Sequence, residues 1–472
     1  MKKSIDEFKK SVQGKKIAVL GIGISNTPLI KYLSRFGAII TAFDKSPAEK
    51  IGSSIDELHA LGVKTCLGEN YLSELKGFDM IFKTPGMRFD LPELVAERER
   101  GAFVTSEMEV FFELCPAQIF AVTGSDGKTT TTTLIYRILK EEGYNCWLGG
   151  NIGTPLLDKV EGISENDKVV LELSSFQLHT MKDSPDVAVI TNISPNHLDI
   201  HKSYEEYIDA KRNIMLYQKK DGKYGPSKVI LNLDNEVTKS MSGDAKGEVA
   251  FFSRREELEE GLFLKNGALI SKKAGKETFI VNADDILIPG LHNVENYLAA
   301  SAAVIDYVRP ETIRKVAVSF PGVEHRIELV REISGVKFYN SSIDSSPSRT
   351  IAALNTFRQR VILIAGGKDK GIPYDMIGEP IVNKVKCLVL IGATAPKIEK
   401  AFSDAKESTG KGKDIPVINV KRYEDAVNEA FKNAASGDII LLSPASTSFD
   451  MFKNFEERGR LFKDIVNGLR ER

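Results

Sequence analysis

Apolar residues in this chain come in short continuous runs separated by helix-length stretches, the pattern of buried parallel strands joined by crossover helices. A first series holds the runs 17–20, 39–43 and 80–82. A second begins at Ile119 and includes 169–173, 187–191 and 229–232. A third follows Pro321-Gly322 and includes 361–364, 387–391 and 439–442. Between about 245 and 290 the runs shorten around Asn266-Gly267 and Lys273-Ala274-Gly275, turn sequences that predict hairpins appended to the second series. The polar tract 406–414 predicts a loop. Each run of the third series ends in Gly, Ser or Thr, where open α/β sheets place their ligands.

A chain of 472 residues is too long for one core, and usual domain sizes give about three. Hydrophobic residues make up 42% and charged residues 27%, with Lys+Arg 64 against Asp+Glu 65. No basic surplus marks a nucleic-acid partner. The N-terminal residues carry charge without a signal-peptide core, and no run approaches a membrane span. A cytoplasmic enzyme without a membrane partner is the expectation, and a monomer is the expected state. Cys66, Cys115, Cys146 and Cys387 lie far apart and read as reduced thiols.

The strongest chemical signal is Thr123-Gly124-Ser125-Asp126-Gly127-Lys128-Thr129-Thr130, where an apolar strand turns through two glycines into a helix. Backbone N–H groups of such a loop curl round phosphate oxygens, Lys128 reaches the outer phosphates, and the Thr129 hydroxyl is a Mg²⁺ ligand at the helix start. The loop is shorter than the standard pattern, with Val122 where an extra glycine would stand. The plain alternative is a glycine turn capping an ordinary helix. A second turn, Gly21-Ile22-Gly23-Ile24-Ser25-Asn26, follows the first strand, and Asp44 closes the next. That is the layout of a nucleotide-binding βαβ unit, although Asn26 occupies the place of a third glycine and a ligand-free turn remains the alternative. Thr84-Pro85-Gly86 would face the same crevice.

Glu172 enters a strongly apolar strand end and needs a partner, for which a metal ion is suited. His197 lies in the loop after another strand of the same series; a structural carboxylate and a loop histidine are the alternatives. Lys211, read from its helical pattern alone, is a solvated lysine. Asn293 and Asn296 share one helix face, where Asn293 could equally be a cap.

Together these residues resemble the Mur ligases, ATP-dependent amide-forming enzymes of peptidoglycan precursor synthesis. The resemblance covers nearly the whole chain. It rests on the shortened phosphate loop, Gly150-Asn151-Ile152-Gly153, the run 171–178 around Glu172, Asn192 with His197-Leu198-Asp199, His292-Asn293 with Asn296, and His325-Arg326-Ile327-Glu328. Within the family, the run 442–459 and the first Gly-x-Gly-x-Ser turn resemble the member that adds D-glutamate. The Asp-Asn-Pro-Arg motif of the member adding diaminopimelate or lysine is absent.

The resemblance implies an α/β fold of three domains. A Rossmann-like UDP-substrate-binding domain would span 1–106, a central P-loop ATPase-type parallel sheet with a small β element 107–321, and a Rossmann-like amino-acid-binding domain 322–472. It implies ligation of D-glutamate to UDP-N-acetylmuramoyl-L-alanine, with ATP activating the carboxylate as an acyl phosphate that the amine then attacks. Gly124, Ser125, Asp126, Gly127, Lys128, Thr129, Thr130, Asn293, Asn296 and Arg326 would bind ATP. Thr129, Glu172, His197 and Lys211 would hold two Mg²⁺ ions, Lys211 as a carbamate formed with CO₂; Lys128, His197 and Lys211 would be the catalytic groups. Ile24, Ser25, Asp44, Lys45, Ser46, Gly86 and Asn151 would border the UDP-linked substrate. Ser345, Lys370, Ser448 and Phe455 would surround D-glutamate. Where the family often has Asn-Asp-Ser-Lys, the chain reads Asn340-Ser341-Ser342-Ile343; Asp344 lies nearby and is not counted as a site residue. Another Mur-type or folylpolyglutamate-type ligase is the nearest rival, and a non-catalytic nucleotide-binding regulator the rival from another class.

Overall fold

The computed structural model describes residues 4–23 and 25–471. Its first sheet contains β1 (Lys16–Leu20), β2 (Ile39–Asp44), β3 (Lys64–Leu67), β4 (Met80–Lys83) and β5 (Phe103–Thr105), all parallel, in the order β3-β2-β1-β4-β5. Strand order reverses between β1 and β4. The turn after Leu20 and the loop after Lys83 therefore flank a crevice at the carboxyl ends, the usual ligand position of such a sheet.

The second sheet is built on β6 (Gln118–Thr123), β7 (Cys146–Gly150), β8 (Lys168–Glu172), β9 (Val187–Ile190), β10 (Lys228–Asn232) and β11 (Glu248–Ser253). It ends in β12 (Gly261–Lys265), β13 (Ala268–Lys273) and β14 (Lys276–Asn282), giving the order β14-β13-β12-β11-β10-β9-β6-β8-β7. Pairing is parallel from β7 through to β12, and β12-β13-β14 are antiparallel. The Asn266-Gly267 and Ala274-Gly275 turns make those two hairpins, as their sequences indicate. Every residue of β6 is buried, because helices cover both faces and leave no polar side to the strand.

The third sheet has β15 (Glu328–Ile333), β16 (Val336–Asn340), β17 (Val361–Ala365), β18 (Val385–Ile391), β19 (Val417–Val420) and β20 (Ile439–Leu442), ordered β15-β16-β20-β17-β18-β19. Its β15-β16 pair is antiparallel and the rest are parallel. The polar tract 406–414 is not all loop. The helix Ala395–Thr409 continues into it: Ile398, Ala401 and Phe402 anchor its first turns, residues 407–409 extend it as an exposed tail, and Gly410 at φ 69° ends the helix.

The chain divides into two compact units, residues 1–282 with 295–316, and residues 283–294 with 317–472. In the first, one apolar cluster runs from Phe8, Val12 and Leu29 through Phe111 and Ile119 to Leu171 and Tyr207, so the first two sheets share a core. In the second, alternate residues of β17 point to opposite layers: Leu363 and Ala365 join one cluster, Ile362 and Ile364 the other.

Candidate active site

Three neighbouring strands, β8, β6 and β9, converge at their carboxyl ends on one locus. Thr123 ends β6, and Gly124 (φ 149°) and Gly127 (φ 79°) bend the chain into the helix Lys128–Glu142. A Cβ on Gly124 would stand 2.0 Å from Thr191 Oγ1, and one on Gly127 2.3 Å from Asn296 Oδ1. Both glycines are thus demanded by backbone conformation and by close neighbours. The loop is held from β9's end: Ser125 N donates to Asn192 O at 2.8 Å, Asp126 N to Asn192 Oδ1 at 3.0 Å, and Thr191 Oγ1 to Asp126 O at 2.6 Å. Ser125 is buried, its hydroxyl donating to Ser194 O and lying 2.9 Å from Tyr207 Oη. Thr131, one turn into the helix, donates to Asn296 Oδ1, so Asn296 backs the loop.

Lys128 folds over the loop, with Nζ 2.9 Å from both Gly124 O and Ser125 O. Lys211 is 2% exposed, on the helix Tyr204–Leu216. Its Nζ donates to Gly124 O at 2.7 Å and Thr123 Oγ1 at 3.3 Å, and stands 4.8 Å from the centre of the Tyr207 ring. The solvated reading of its helical pattern is therefore corrected: the helix turns this lysine inward beneath the phosphate loop. Burial, followed by repulsion from Lys128, pushes its basicity well below the usual lysine range, against the pull of Glu172 and Asp126.

Glu172 ends β8 and is 1% exposed. Asn151 donates to its Oε1 at 2.8 Å, whereas Oε2 is buried without a partner. A buried carboxylate oxygen left unpaired is costly, and a cation is the natural occupant of that position. His197 sits at φ 54° in an exposed loop, its ring 5.2 Å from Phe176; partial desolvation, then Lys128 and Lys211, hold its pKa below the usual histidine value. Sequence reading missed the shell behind these groups. His201, buried and stacked on Phe176, has Nε2 2.9 Å from Ser175 Oγ, three residues beyond Glu172. Two histidines four residues apart were the available signal.

In the first crevice, Asp44 holds the turn instead of pointing outward: Oδ2 accepts from Ile22 N and Oδ1 from Ser46 N, each at 2.7 Å. Asn26 explains its presence in place of a glycine, since its buried amide donates to Leu20 O at 2.9 Å and Gly21 O at 3.1 Å. Lys45 and Gly86 are exposed, and Ser25 and Ser46 half-buried. Ile24 lies outside the described residues.

In the second unit, Asn293 is buried and donates to Pro289 O at 2.6 Å, while Arg326 and Lys370 are exposed. Ser448 is 2% exposed and Ser345 half-buried. Phe455 meets the His325 ring edge-on at 6.0 Å. The departure at Asn340-Ser341-Ser342 forms a buried polar cluster: Asn340 Nδ2 lies 2.9 Å from His325 Nδ1, and Arg458 Nε donates to Ser342 Oγ at 3.0 Å. Arg458 is almost wholly buried with Nη1 unpaired, a feature that sequence reading did not single out. Asp344 is buried with Oδ2 2.8 Å from Ser443 Oγ, and burial raises its carboxyl pKa.

Family profiles match in three consecutive stretches: Mur ligase MurD-like, N-terminal domain, over 15–106; Mur ligase middle domain over 122–304; and Mur ligase, glutamate ligase domain, over 325–446. A UDP-N-acetylmuramoylalanine–D-glutamate ligase of Acetivibrio thermocellus is 62% identical over 469 residues, covering 99% of this chain and 100% of that protein. The chain belongs to the Mur ligase family. The protein of the same description from Ruminiclostridium cellulolyticum is also 62% identical, over 100% of both chains. Among solved structures, the UDP-N-acetylmuramate-alanine ligase of Thermotoga maritima aligns with a TM-score of 0.56 at 19% identity, over 96% of this chain and 99% of that one, a likeness of fold. The three-domain α/β architecture is that of a Mur ligase.

Proposed function

We propose that this Mur ligase joins D-glutamate to UDP-N-acetylmuramoyl-L-alanine, forming ADP and phosphate through an acyl phosphate, as a cytoplasmic step of peptidoglycan precursor synthesis carried out by a monomer. One observation carries the reaction type: a buried carboxylate with an unpaired oxygen and a buried lysine of depressed basicity lie at the same phosphate loop. A loop that only bound nucleotide would have no use for that pair. The choice of D-glutamate rests on the full-length relatives.

Glu172 Oε2, the Thr129 hydroxyl, His197 and Lys211 are the groups that would hold two Mg²⁺ ions. When bound, these supply charge neutralisation between the triphosphate and the acceptor carboxylate. Lys211 fits that role as a carbamate. With the ammonium form, Lys128 and Lys211 just balance Glu172 and Asp126; the carbamate leaves two negative charges in excess for the cations and adds oxygen ligands. The reaction needs the free amine, whose nitrogen bonds to the carbon of CO₂ as a proton leaves, and the low basicity of Lys211 favours it.

Lys128 would stabilise charge on the transferring phosphoryl group, with backbone N–H groups of 124–130 about the phosphates. Asn293, Asn296 and Arg326 keep their assignment to the nucleotide. Ser25, Asp44, Lys45, Ser46 and Gly86 would border the uridine diphosphate, Asp44 by shaping the turn, and Asn151 would contact the same substrate. Ser345, Lys370, Ser448 and Phe455 are assigned to the amino acid. The functional division we adopt is 1–106, 107–321 and 322–472. ADP release should require UDP-N-acetylmuramoyl-L-alanine and D-glutamate together. Equal release with L-lysine, or with a folate and L-glutamate, would overturn the assignment.

A further inference from the structure

Arg88 stands two residues beyond Gly86, in the loop that follows β4, and has no part in the chemistry assigned above. All five of its guanidinium N–H groups are committed. Nε and Nη2 donate to the two oxygens of Asp90 at 2.8 and 2.9 Å, Nη2 and Nη1 to the two oxygens of Glu206 at 2.9 and 3.2 Å, and Nη1 to Ile200 O at 2.9 Å. The acceptors come from two separate regions of the first unit. Asp90 belongs to the substrate-side loop; Ile200 lies three residues after His197; Glu206 is on the helix that buries Lys211. Lys202 closes the ring, with its backbone N on Glu206 Oε2 and its Nζ on Asp90 Oδ2, both at 2.6 Å.

Glu206 also faces the rings of His179 and His201, each 3.6 Å away, and His201 reaches Ser175 behind Glu172. A planar fork that fills two carboxylates and a carbonyl at once fixes distance and angle together, which a flexible ammonium cannot do. The Arg88–Glu206 pair at its centre is only about one-fifth exposed, 21% and 20%, with Asp90 at 29% and Lys202 out in solvent at 69%.

We propose that Arg88 is a positioning residue that locks the Gly86 loop to the His197 loop and the Lys211 helix, and thereby sets affinity for the UDP-linked substrate. It touches no ligand, since its donors are used. This rests on the substrate reading given above. Loss of the fork frees the Gly86 loop, assigned to the uridine diphosphate, from the His197 loop and the Lys211 helix, so affinity for the UDP-linked substrate falls; the helix stays held to the phosphate loop by Lys211 Nζ on Gly124 O at 2.7 Å and Tyr207 Oη 2.9 Å from Ser125 Oγ, so affinity for ATP stays.

Calorimetric titration of the full chain with UDP-N-acetylmuramoyl-L-alanine, and separately with ATP and Mg²⁺, tests it. Arg88→Ala should weaken the first about tenfold and leave the second within about twofold, the scale of losing one well-oriented bidentate pair that touches no ligand. Glu206→Gln, which keeps the shape, should weaken the same ligand in the same sense. The double variant should be no worse than Arg88→Ala alone, because both remove one interaction. Arg88→Lys should remain impaired. Additive losses, equal losses for both ligands, or full recovery by lysine would each overturn the proposal. If the unsubstituted chain fails to bind the UDP-linked substrate, the substrate reading itself falls; if it binds and the variants match it, only the role of Arg88 falls.

Discussion

Lys211 and Glu172 carry the chemistry because each is held in a state that water would not favour. The lysine is buried beside a second cation, Lys128, and one oxygen of the carboxylate is left without a donor. Asp126, exposed on the phosphate loop, belongs to the same balance: its charge pulls against the depression of Lys211. Lys211→Ala should lower ADP release by roughly 10²–10³-fold, the scale of losing one electrostatic partner of a transferring group. Bicarbonate or a short carboxylic acid should restore part of it by placing a carboxylate in the space vacated. Unchanged release in the alanine variant would remove Lys211 from the reaction. Lys211 was hard to read from its surroundings, because Tyr204–Leu216 has charged residues on several sides and only packing decides which of them turns inward.

At the scale of elements, what the chain reveals depends on whether the determining contact is local. The two glycines, Lys128 and Thr129 lie within six residues and announce a strand-loop-helix cradle; Asp44 does the same for the first crevice, because its two acceptors serve the turns beside it. The Arg88–Glu206 fork joins residues 118 positions apart, and no local pattern could reveal it. The β15-β16 hairpin and the helical part of 406–414 also escaped, the first although Ser334-Gly335, at φ 52° and 73° between two apolar residues, is a turn signal, and the second because an exposed helical tail has the composition of a loop. The cradle makes a sharp demand on its glycines. Gly124→Ala places a methyl group within contact of Thr191 at a φ that side chains rarely adopt, so nucleotide affinity should fall about tenfold or more, by titration with ATP and Mg²⁺. Gly243→Ala, where a Cβ meets nothing within 4 Å, should be silent. Equal effects at both positions would mean that the loop tolerates a side chain and that its geometry is set elsewhere.

The whole molecule divides into two compact units, and this makes a prediction about cooperativity. The cluster from Phe8 to Tyr207 lies wholly in the first unit; the clusters on either side of β17 lie wholly in the second. Each of these clusters is buried within its own unit, and two-step unfolding is the expectation. The chain contains one tryptophan, Trp147 on β7, whose indole donates to Asp167 Oδ2 at 2.7 Å, and it therefore reports the first unit alone. Helical circular dichroism reports both. In urea the two signals should give different midpoints. UDP-N-acetylmuramoyl-L-alanine, assigned to the first unit, should move the tryptophan transition upward, by about 2.7 kcal/mol at a hundredfold excess over its dissociation constant, and leave the remaining circular-dichroism step in place. Coincident transitions that shift together would show that the units unfold as one body, and separate transitions that both shift would place substrate contacts in the second unit as well.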